Sequence, residues 1–101
     1  MARYTNITSS PATTTLITRG SGVSGHIRKI TIANFSDHAA AATVNLFLQN
    51  AAAADFYIIK NVNIPKGTTL VLEDNLSFNV DIYSLIMYST GTAPALTVII
   101  K

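Results

Sequence analysis

Short stretches in which apolar and polar residues alternate follow one another along the chain, separated by groups of Gly, Pro, Asn, Asp or Ser residues. A period of two is the pattern of a β-strand with one buried face, and no stretch shows the longer period of an amphipathic helix. The alternation predicts strands at 13–18, 26–35, 43–49, 55–60, 69–73, 76–80, 84–89 and 96–100. Short strands with a turn signal about every ten residues are typical of an all-β sandwich.

The clearest turn is the Pro-Lys-Gly sequence at 65–67. Pro65 fixes the φ angle of the first corner of a turn, and Gly67 accepts the positive φ that a β-branched residue resists. One strand is therefore predicted to end near Ile64 and the next to begin near Thr68.

The alternation also assigns side chains to the core or to the outside. It places Ile30, Ile32, Val44, Leu46, Leu48, Leu70, Leu72, Leu96, Val98 and Ile100 in the core. It leaves Phe47, Val71 and Ile99 facing away from the core. It also places Ile17 on the face opposite Leu16, and Ile27 on the face opposite Ile30. Stretches 55–60 and 84–89 are apolar on both faces, which indicates that something other than this core covers one of them.

Residues 1–12 are mostly polar or β-branched and are interrupted by Pro11, so they predict an extended N-terminal arm in front of a sandwich domain at 13–101. Such an arm can pair its backbone with a neighbour's sheet edge. Deletion of 2–10 is then expected to leave the fold intact. The side chains predicted to make intermolecular contacts, from the arm and the outward strand faces together, are Phe47, Phe56, Tyr57, Val71, Tyr88, Ile99, Tyr4 and Ile7.

Seven to eight strands in 101 residues predict one domain, an antiparallel β-sandwich of jelly-roll or immunoglobulin-like type. The Cys and Trp residues that mark antibody domains do not occur in the sequence. Their absence does not choose between the two topologies.

Composition favours a protein built for contact. Apolar residues make up 49% of the chain and charged residues only 12%, about half the usual share. Charge keeps soluble monomers apart, so this composition predicts self-association or docking on a partner. The net charge of +2 is scattered, with no basic cluster longer than Arg28-Lys29, so no nucleic-acid partner is expected. No signal peptide and no apolar run of about eighteen residues is present, so no membrane partner is expected.

Few residues offer chemistry. The glycines at 20, 22 and 25 have the spacing G-x-G-x-x-G, but a predicted strand follows them where a dinucleotide site needs a helix. The Ser-Asp-His sequence at 36–38 lies in one turn, and such neighbours cannot aim at a shared point as a catalytic triad does. Glu73 and Asp74, even with Asp81, lack the spacing of a calcium loop. We expect neither an enzyme nor a bound metal, cofactor or small-molecule substrate.

Four segments carry a resemblance to a known group of proteins. They are IRKITIAN at 27–34, TVNL at 43–46, DFYI at 55–58 and IPKGTTLVL at 64–72. Over about 25–101, the sequence resembles small β-sandwich proteins among the virion structural proteins of tailed bacteriophages.

The resemblance implies a capsid decoration or cement subunit, located in the virion, assembled in the host cytoplasm and acting as a homo-oligomer. Its partners are then the major capsid protein or other virion proteins, and no catalytic residues are implied. The sequence resembles neck, tail and fibre accessory subunits as much as it resembles capsid decoration subunits. A receptor- or carbohydrate-binding sandwich is the other alternative, and it requires exposed aromatics such as Tyr57, Tyr83 or Tyr88 in a groove beside Asn or Asp.

Overall fold

The computed structural model describes residues 3–8, 10–22, 25–35, 41–73, 75–91 and 95–101. All the regular secondary structure in these residues is β-strand. The strands are β1 Arg3–Ile7, β2 Ala12–Ile17, β3 His26–Ile27, β4 Ile30–Asn34, β5 Ala42–Gln49, β6 Asp55–Ile64, β7 Thr69–Leu72, β8 Leu76–Ser77, β9 Ser84–Gly91 and β10 Leu96–Ile100.

Eight of these strands form two four-stranded antiparallel sheets, with the orders β1-β10-β4-β7 and β2-β9-β5-β6. The two short strands β3 and β8 pair with each other. Numbered 1 to 8 along the chain, the sheet strands have the orders 1-8-3-6 and 2-7-4-5, which is the arrangement of a jelly roll. The first two strands of an immunoglobulin domain share a sheet, whereas β1 and β2 lie in different sheets. The predicted all-β sandwich is therefore confirmed, and its topology is the jelly roll.

The core lies between the inner faces of the two sheets. The predicted inward residues of the central strands are buried, since Ile32 and Leu46 are 0% exposed and Val98 is 1% exposed. Leu48, Leu70 and Leu72 are partly buried and pack against this core, as do Ala12, Ile58, Val62, Leu76 and Phe78.

The predicted count of seven to eight strands was too low, because the described residues contain ten. The predicted strand at 26–35 is divided into β3 and β4. The backbone amides of Arg28 and Lys29 leave the ladder and donate to the Lys101 carbonyl, at 2.8 and 3.2 Å. Ile27 is buried despite being assigned to the outward face, because this break resets the alternation.

A second interruption of the alternation lies in β2. Leu16 and Ile17 are neighbours, yet both are buried in the core, with exposures of 7% and 1%. The pairing with β9 shifts register between Thr15 and Ile17, and such an irregularity brings consecutive side chains to one face. The prediction that Ile17 points away from Leu16 was therefore wrong.

The segment predicted as an arm is extended, but Arg3–Ile7 lies on the chain's own sheet as β1. It pairs with β10 over five residues, from Arg3 opposite Ile100 to Ile7 opposite Leu96. Ile7 is 4% exposed and belongs to the core cluster. A deletion of 2–10 would remove this side chain and uncover the edge of β10, so we now expect it to destabilise the fold.

The turn at 65–67 forms where it was predicted. β6 ends at Ile64, β7 begins at Thr69, and Gly67 has φ of 74°. The turn is tied to β4 by Asn34, which is 2% exposed. The Asn34 side chain donates to the Ile64 carbonyl at 2.9 Å, and the Gly67 amide donates to the Asn34 carbonyl at 2.8 Å. This buried asparagine fixes the corner between the two sheets.

Candidate functional site

Three of the predicted contact residues form one straight row across the outer face of the sheet β1-β10-β4-β7. Tyr4 lies opposite Ile99, Ile99 opposite Thr31, and Thr31 opposite Val71. With strands about 4.8 Å apart, the row is roughly 14 Å long. Tyr4 is 71% exposed and Val71 is 42% exposed, while Ile99 and Thr31 are partly buried.

A second row lies beside it and contains Asn6, Thr97, Ala33 and Thr69. The Thr97 hydroxyl donates to the Asn6 side-chain oxygen at 2.8 Å. None of the eight side chains in the two rows is charged. We call this surface the uncharged face, made of Tyr4, Asn6, Thr31, Ala33, Thr69, Val71, Thr97 and Ile99.

The outer face of the other sheet carries three more of the predicted contact residues, Phe47, Tyr57 and Tyr88. Phe47 lies between Ile86 on β9 and Tyr57 on β6. The rings of Phe47 and Tyr57 are tilted by 51°, with centroids 5.3 Å apart. Phe47 is on the outer face, as the alternation predicts, but it is only 7% exposed. It is thus the buried base of an aromatic cluster, and its neighbour Tyr57 provides the exposed surface.

A bulge in β6 shapes this face. Val44 pairs with Val62 and Leu46 with Ile59, so Asn45 faces two residues, Lys60 and Asn61, where a regular strand would offer one. Asn61 has φ of 54°, the left-handed conformation that asparagine adopts more readily than most residues. The side chains of Lys60 and Asn61 are both exposed at this bulge.

Asn45 holds the bulge in place. Its side-chain oxygen accepts a hydrogen bond from the Asn61 backbone amide at 2.9 Å, and its side-chain nitrogen donates to the Tyr88 carbonyl at 3.4 Å. The residue is only 8% exposed. One side chain therefore connects β6 and β9 across β5, and neither of its polar ends is left without a partner.

A groove of about 290 Å³ lies over this region. Its described lining is Thr13, Asn45, Phe47, Tyr57, Lys60, Asn61 and Tyr88, drawn from all four strands of the sheet. Tyr57 is 48% exposed and Tyr88 is 37% exposed. The Lys60 ammonium lies 4.8 Å from the centroid of the Tyr57 ring, a cation–π contact. We call this site the aromatic groove.

The two remaining predicted contact residues lie elsewhere. Ile7 is in the core, as described above. Phe56 is 51% exposed and packs edge-to-face on Tyr83, with ring centroids 5.8 Å apart. Phe56 therefore belongs neither to the two rows nor to the aromatic groove.

Sequence reasoning missed two exposed apolar side chains and most of the polar groove lining. Phe35 is 51% exposed and directly follows β4, and Ile82 is 49% exposed and lies between β8 and β9. Ile82 borders a depression of about 410 Å³ that is also lined by Arg19, Asn50, Ala51, Ala52 and Asp81. A polar asparagine at 45, inside an otherwise apolar strand, was the available signal for the groove.

The described residues contain no group of three or more His, Cys, Asp or Glu side chains that could hold a metal ion. Gly20 and Gly22 have positive φ, and β3 rather than a helix follows the glycine-rich loop. The sequence at 36–38 and the residue Asp74 lie outside the described residues. In the part of the chain that is described, no helix has the length and apolar character needed to cross a membrane.

No protein-family model and no curated protein matches the sequence. The fold is similar to several solved chains at low identity. A chain of infectious bursal disease virus, Gx strain, is 9% identical with a TM-score of 0.45, and the match covers 99% of this chain and 29% of that one. A mutant VP2 protein of the same virus, in derived T=1 particles, is 13% identical with a TM-score of 0.46 and the same coverage.

A third similar structure is the CBM22-1 xylan-binding domain of Xyn10C from Paenibacillus barcinonensis. It is 13% identical with a TM-score of 0.41, and the match covers 90% of this chain and 60% of that domain's chain. The chain spans less than a third of the length of the two viral proteins. With TM-scores below 0.5, these likenesses carry no inference about function.

Proposed function

We propose that this chain is a structural protein of a bacteriophage particle, a decoration or cement subunit that binds the capsid lattice and its own copies through the uncharged face. The observation that carries the proposal is the row Tyr4, Ile99, Thr31 and Val71. The resemblance of the sequence to virion proteins of tailed phages supports the same assignment. The jelly roll is found in viral capsid domains and in lectins alike, so the fold alone does not select between them.

The uncharged face is suited to burial against protein. Burying a charge without a partner costs several kcal/mol, whereas apolar and hydroxyl side chains are transferred at much lower cost. Among its outward groups, the Thr97 hydroxyl already donates a hydrogen bond to the Asn6 side-chain oxygen. A partner surface therefore gains the apolar area of Tyr4, Ile99 and Val71 without desolvating an ion.

The same face suits contacts between identical copies. A two-fold dimer brings one surface against itself, so a charged surface would repel its copy and an uncharged one does not. The row lies on four hydrogen-bonded strands, which keep it rigid and limit the entropy lost on binding. Repetition over a lattice adds avidity, so each contact can be smaller than the standard interface of about 1,600 Å².

Quantitative mass spectrometry of purified particles of the encoding virus tests the location. Hundreds of copies support decoration of the capsid, and a dozen or fewer support the neck, tail or fibre alternative. Absence of the chain from the particles would overturn the virion assignment.

A pair of lysine variants tests the surface. Val71→Lys places a charge in the row, and Asn63→Lys places the same charge at an exposed position on the other sheet. We expect Val71→Lys to reduce co-sedimentation with particles and to lower the oligomer mass measured by light scattering. Asn63→Lys is expected to change neither. Equal behaviour of both folded variants would reject the uncharged face as the contact surface.

A further inference from the structure

We propose that the aromatic groove binds a saccharide, and that it prefers a sugar bearing a carboxylate to its neutral counterpart. This site goes beyond the proposed particle contact, because it lies on the opposite outer face of the sandwich. The groove brings together exposed aromatic rings, exposed polar groups and one cation, and no carboxylate side chain is among its described lining residues.

The apolar part of the groove matches one face of a sugar ring. A pyranose has C–H groups on its faces and hydroxyl groups around its rim, so it binds where a flat apolar surface is bordered by polar atoms. Tyr57 and Tyr88 supply that surface, with roughly half and a third of their area exposed. Each tyrosine also has a hydroxyl at its outer end, which gives an apolar body and a polar tip in one side chain.

The aromatic surface is held in position before any ligand arrives. Phe47 packs against Tyr57, with ring centroids 5.3 Å apart. The Lys60 ammonium lies 4.8 Å from the centroid of the Tyr57 ring. Phe47 is itself 7% exposed and fixed between neighbouring strands. A preorganised tyrosine loses less rotamer entropy on binding, which leaves more of the contact energy as affinity.

The bulge supplies the polar rim. Asn45 uses both ends of its side chain within the fold and so acts only as a positioning residue. Asn61 is turned outward by its left-handed backbone, and its side-chain amide makes no hydrogen bond to the described residues. Thr13 faces the groove from the far strand. The amide and the hydroxyls can each donate and accept, which is what the hydroxyl groups of a sugar require.

Charge gives the preference for an acidic sugar. Lys60 is the only charged residue in the described lining, and its ammonium has no carboxylate within salt-bridge distance in the described part of the chain. A charge-assisted hydrogen bond to a ligand carboxylate is about twice as strong as a neutral one. The contact with Tyr57 holds the Lys60 ammonium over the groove, where the carboxylate of a bound sugar would lie.

Size and composition separate this groove from the rest of the surface. Its volume of about 290 Å³ is at the small end of ligand sites and suits one or two sugar rings rather than a folded partner. The larger depression beside Ile82 is lined by two alanines and by one residue of each charge, Arg19 and Asp81. No aromatic side chain lines it within the described residues. The combination that a sugar ring needs is present at the aromatic groove.

The test is an array of matched oligosaccharides, each uronic or sialic acid glycan printed beside its neutral parent, probed with the intact chain. The best matched pair is then measured by isothermal titration calorimetry. We expect binding to an acidic member, with its neutral parent weaker by about tenfold. The difference should shrink at high salt, because screening weakens an exposed charge pair. Absence of binding to every member of the array would overturn the proposal.

Variants assign the binding to the groove. Asn61→Gly removes the amide and keeps a residue that tolerates positive φ, and Lys60→Gln removes the charge and keeps most of the stem. We expect Asn61→Gly to weaken both members of the pair, and Lys60→Gln to remove the acidic preference, so that the acidic and neutral members bind equally within about twofold. Unchanged binding by the folded Asn61→Gly and Lys60→Gln variants would overturn the site.

One further variant separates this proposal from the particle contact. Val71→Lys alters only the uncharged face, so it should leave saccharide affinity unchanged even where it abolishes particle binding. Saccharide binding without any particle binding would reject the virion role and keep the groove. Particle binding without any saccharide binding would reject the groove and keep the virion role.

Discussion

The side-chain oxygen of Asn45 accepts a hydrogen bond from the backbone amide of Asn61, sixteen residues further along the chain, at 2.9 Å. This bond crosses the bulge at which β6 gains a residue over β5. An extra residue leaves its own backbone groups outside the ladder, and a buried amide without a partner costs about 1–3 kcal/mol. Asn45 thereby makes the bulge possible, and the bulge presents Lys60 and Asn61 to the aromatic groove.

Replacement of Asn45 by alanine is expected to lower the free energy of unfolding by about 1–3 kcal/mol, because the Asn61 amide loses its acceptor. Asn45→Asp keeps an acceptor oxygen, but it places a carboxylate at a position that is 8% exposed and turns an oxygen toward the Tyr88 carbonyl, so we expect a loss at least as large. Urea denaturation of the two variants measures both losses. Asn63→Ala, at an exposed position two residues beyond the bulge, serves as the control. A loss for Asn45→Ala no larger than that for Asn63→Ala would contradict the assigned role of the oxygen.

The backbone of Asn61 gives a second prediction. Its φ of 54° is open to glycine, whereas a β-branched side chain at that angle clashes with the backbone. We expect Asn61→Gly to stay within about 0.5 kcal/mol of the parent and Asn61→Val to lose about 1–2 kcal/mol. Thermal unfolding of both variants checks the order. A valine variant as stable as the glycine variant would mean that the strand adopts another register.

Much of the fold was predictable because apolar residues at every second position mark the inner face of β4, β5 and β10. In such strands the alternation alone places Ile32, Leu46 and Val98 in the core. The turn at 65–67 was predictable for a different reason, since Pro65 fixes the φ angle of the first corner and Gly67 accepts a positive φ. Both signals are contained within a few consecutive residues.

The features that alternation could not supply depend on a partner strand. The bulge at Asn61 and the register shift before Ile17 exist only relative to β5 and β9. The pairing of β1 with β10 joins residues 89 to 97 positions apart, from Ile7 and Leu96 to Arg3 and Ile100. Ile7 was therefore predicted to lie in an extended N-terminal arm, although its side chain completes the core. Tyr57 and Tyr88 were named as residues that a carbohydrate-binding groove requires. Thr13, Lys60 and Asn61 were not, because the lining comes from four strands.

The position of Ile7 leads to a third prediction. Ile7→Ala removes a side chain that is 4% exposed and leaves a cavity, so we expect a loss of about 2–5 kcal/mol. Tyr4→Ala, on the same strand but 71% exposed, should cost about 0.5 kcal/mol or less. Denaturant unfolding of the two variants compares them directly. If β1 acted as an arm free of its own sheet, both variants would be as stable as the parent.

The last prediction concerns Ser89, whose replacement is not expected to lower the free energy of unfolding. It is 0% exposed on the inner face of β9, where it lies opposite Val44 on one neighbouring strand and Ala12 on the other. Its hydroxyl has no hydrogen-bond partner among the described residues. A buried hydroxyl without a partner loses its hydration and regains nothing, so removing it relieves a cost.

Ser89→Ala is therefore expected to leave the protein as stable as the parent or to raise the free energy of unfolding by up to about 1 kcal/mol. Ser84→Ala serves as a matched control on the same strand, because the Ser84 hydroxyl accepts a hydrogen bond from the Arg19 amide at 3.0 Å and its removal should destabilise slightly. Chemical denaturation of both variants gives the comparison. A loss above about 1 kcal/mol for Ser89→Ala would show that the hydroxyl is hydrogen-bonded in solution, because only a satisfied group stabilises the core by that much.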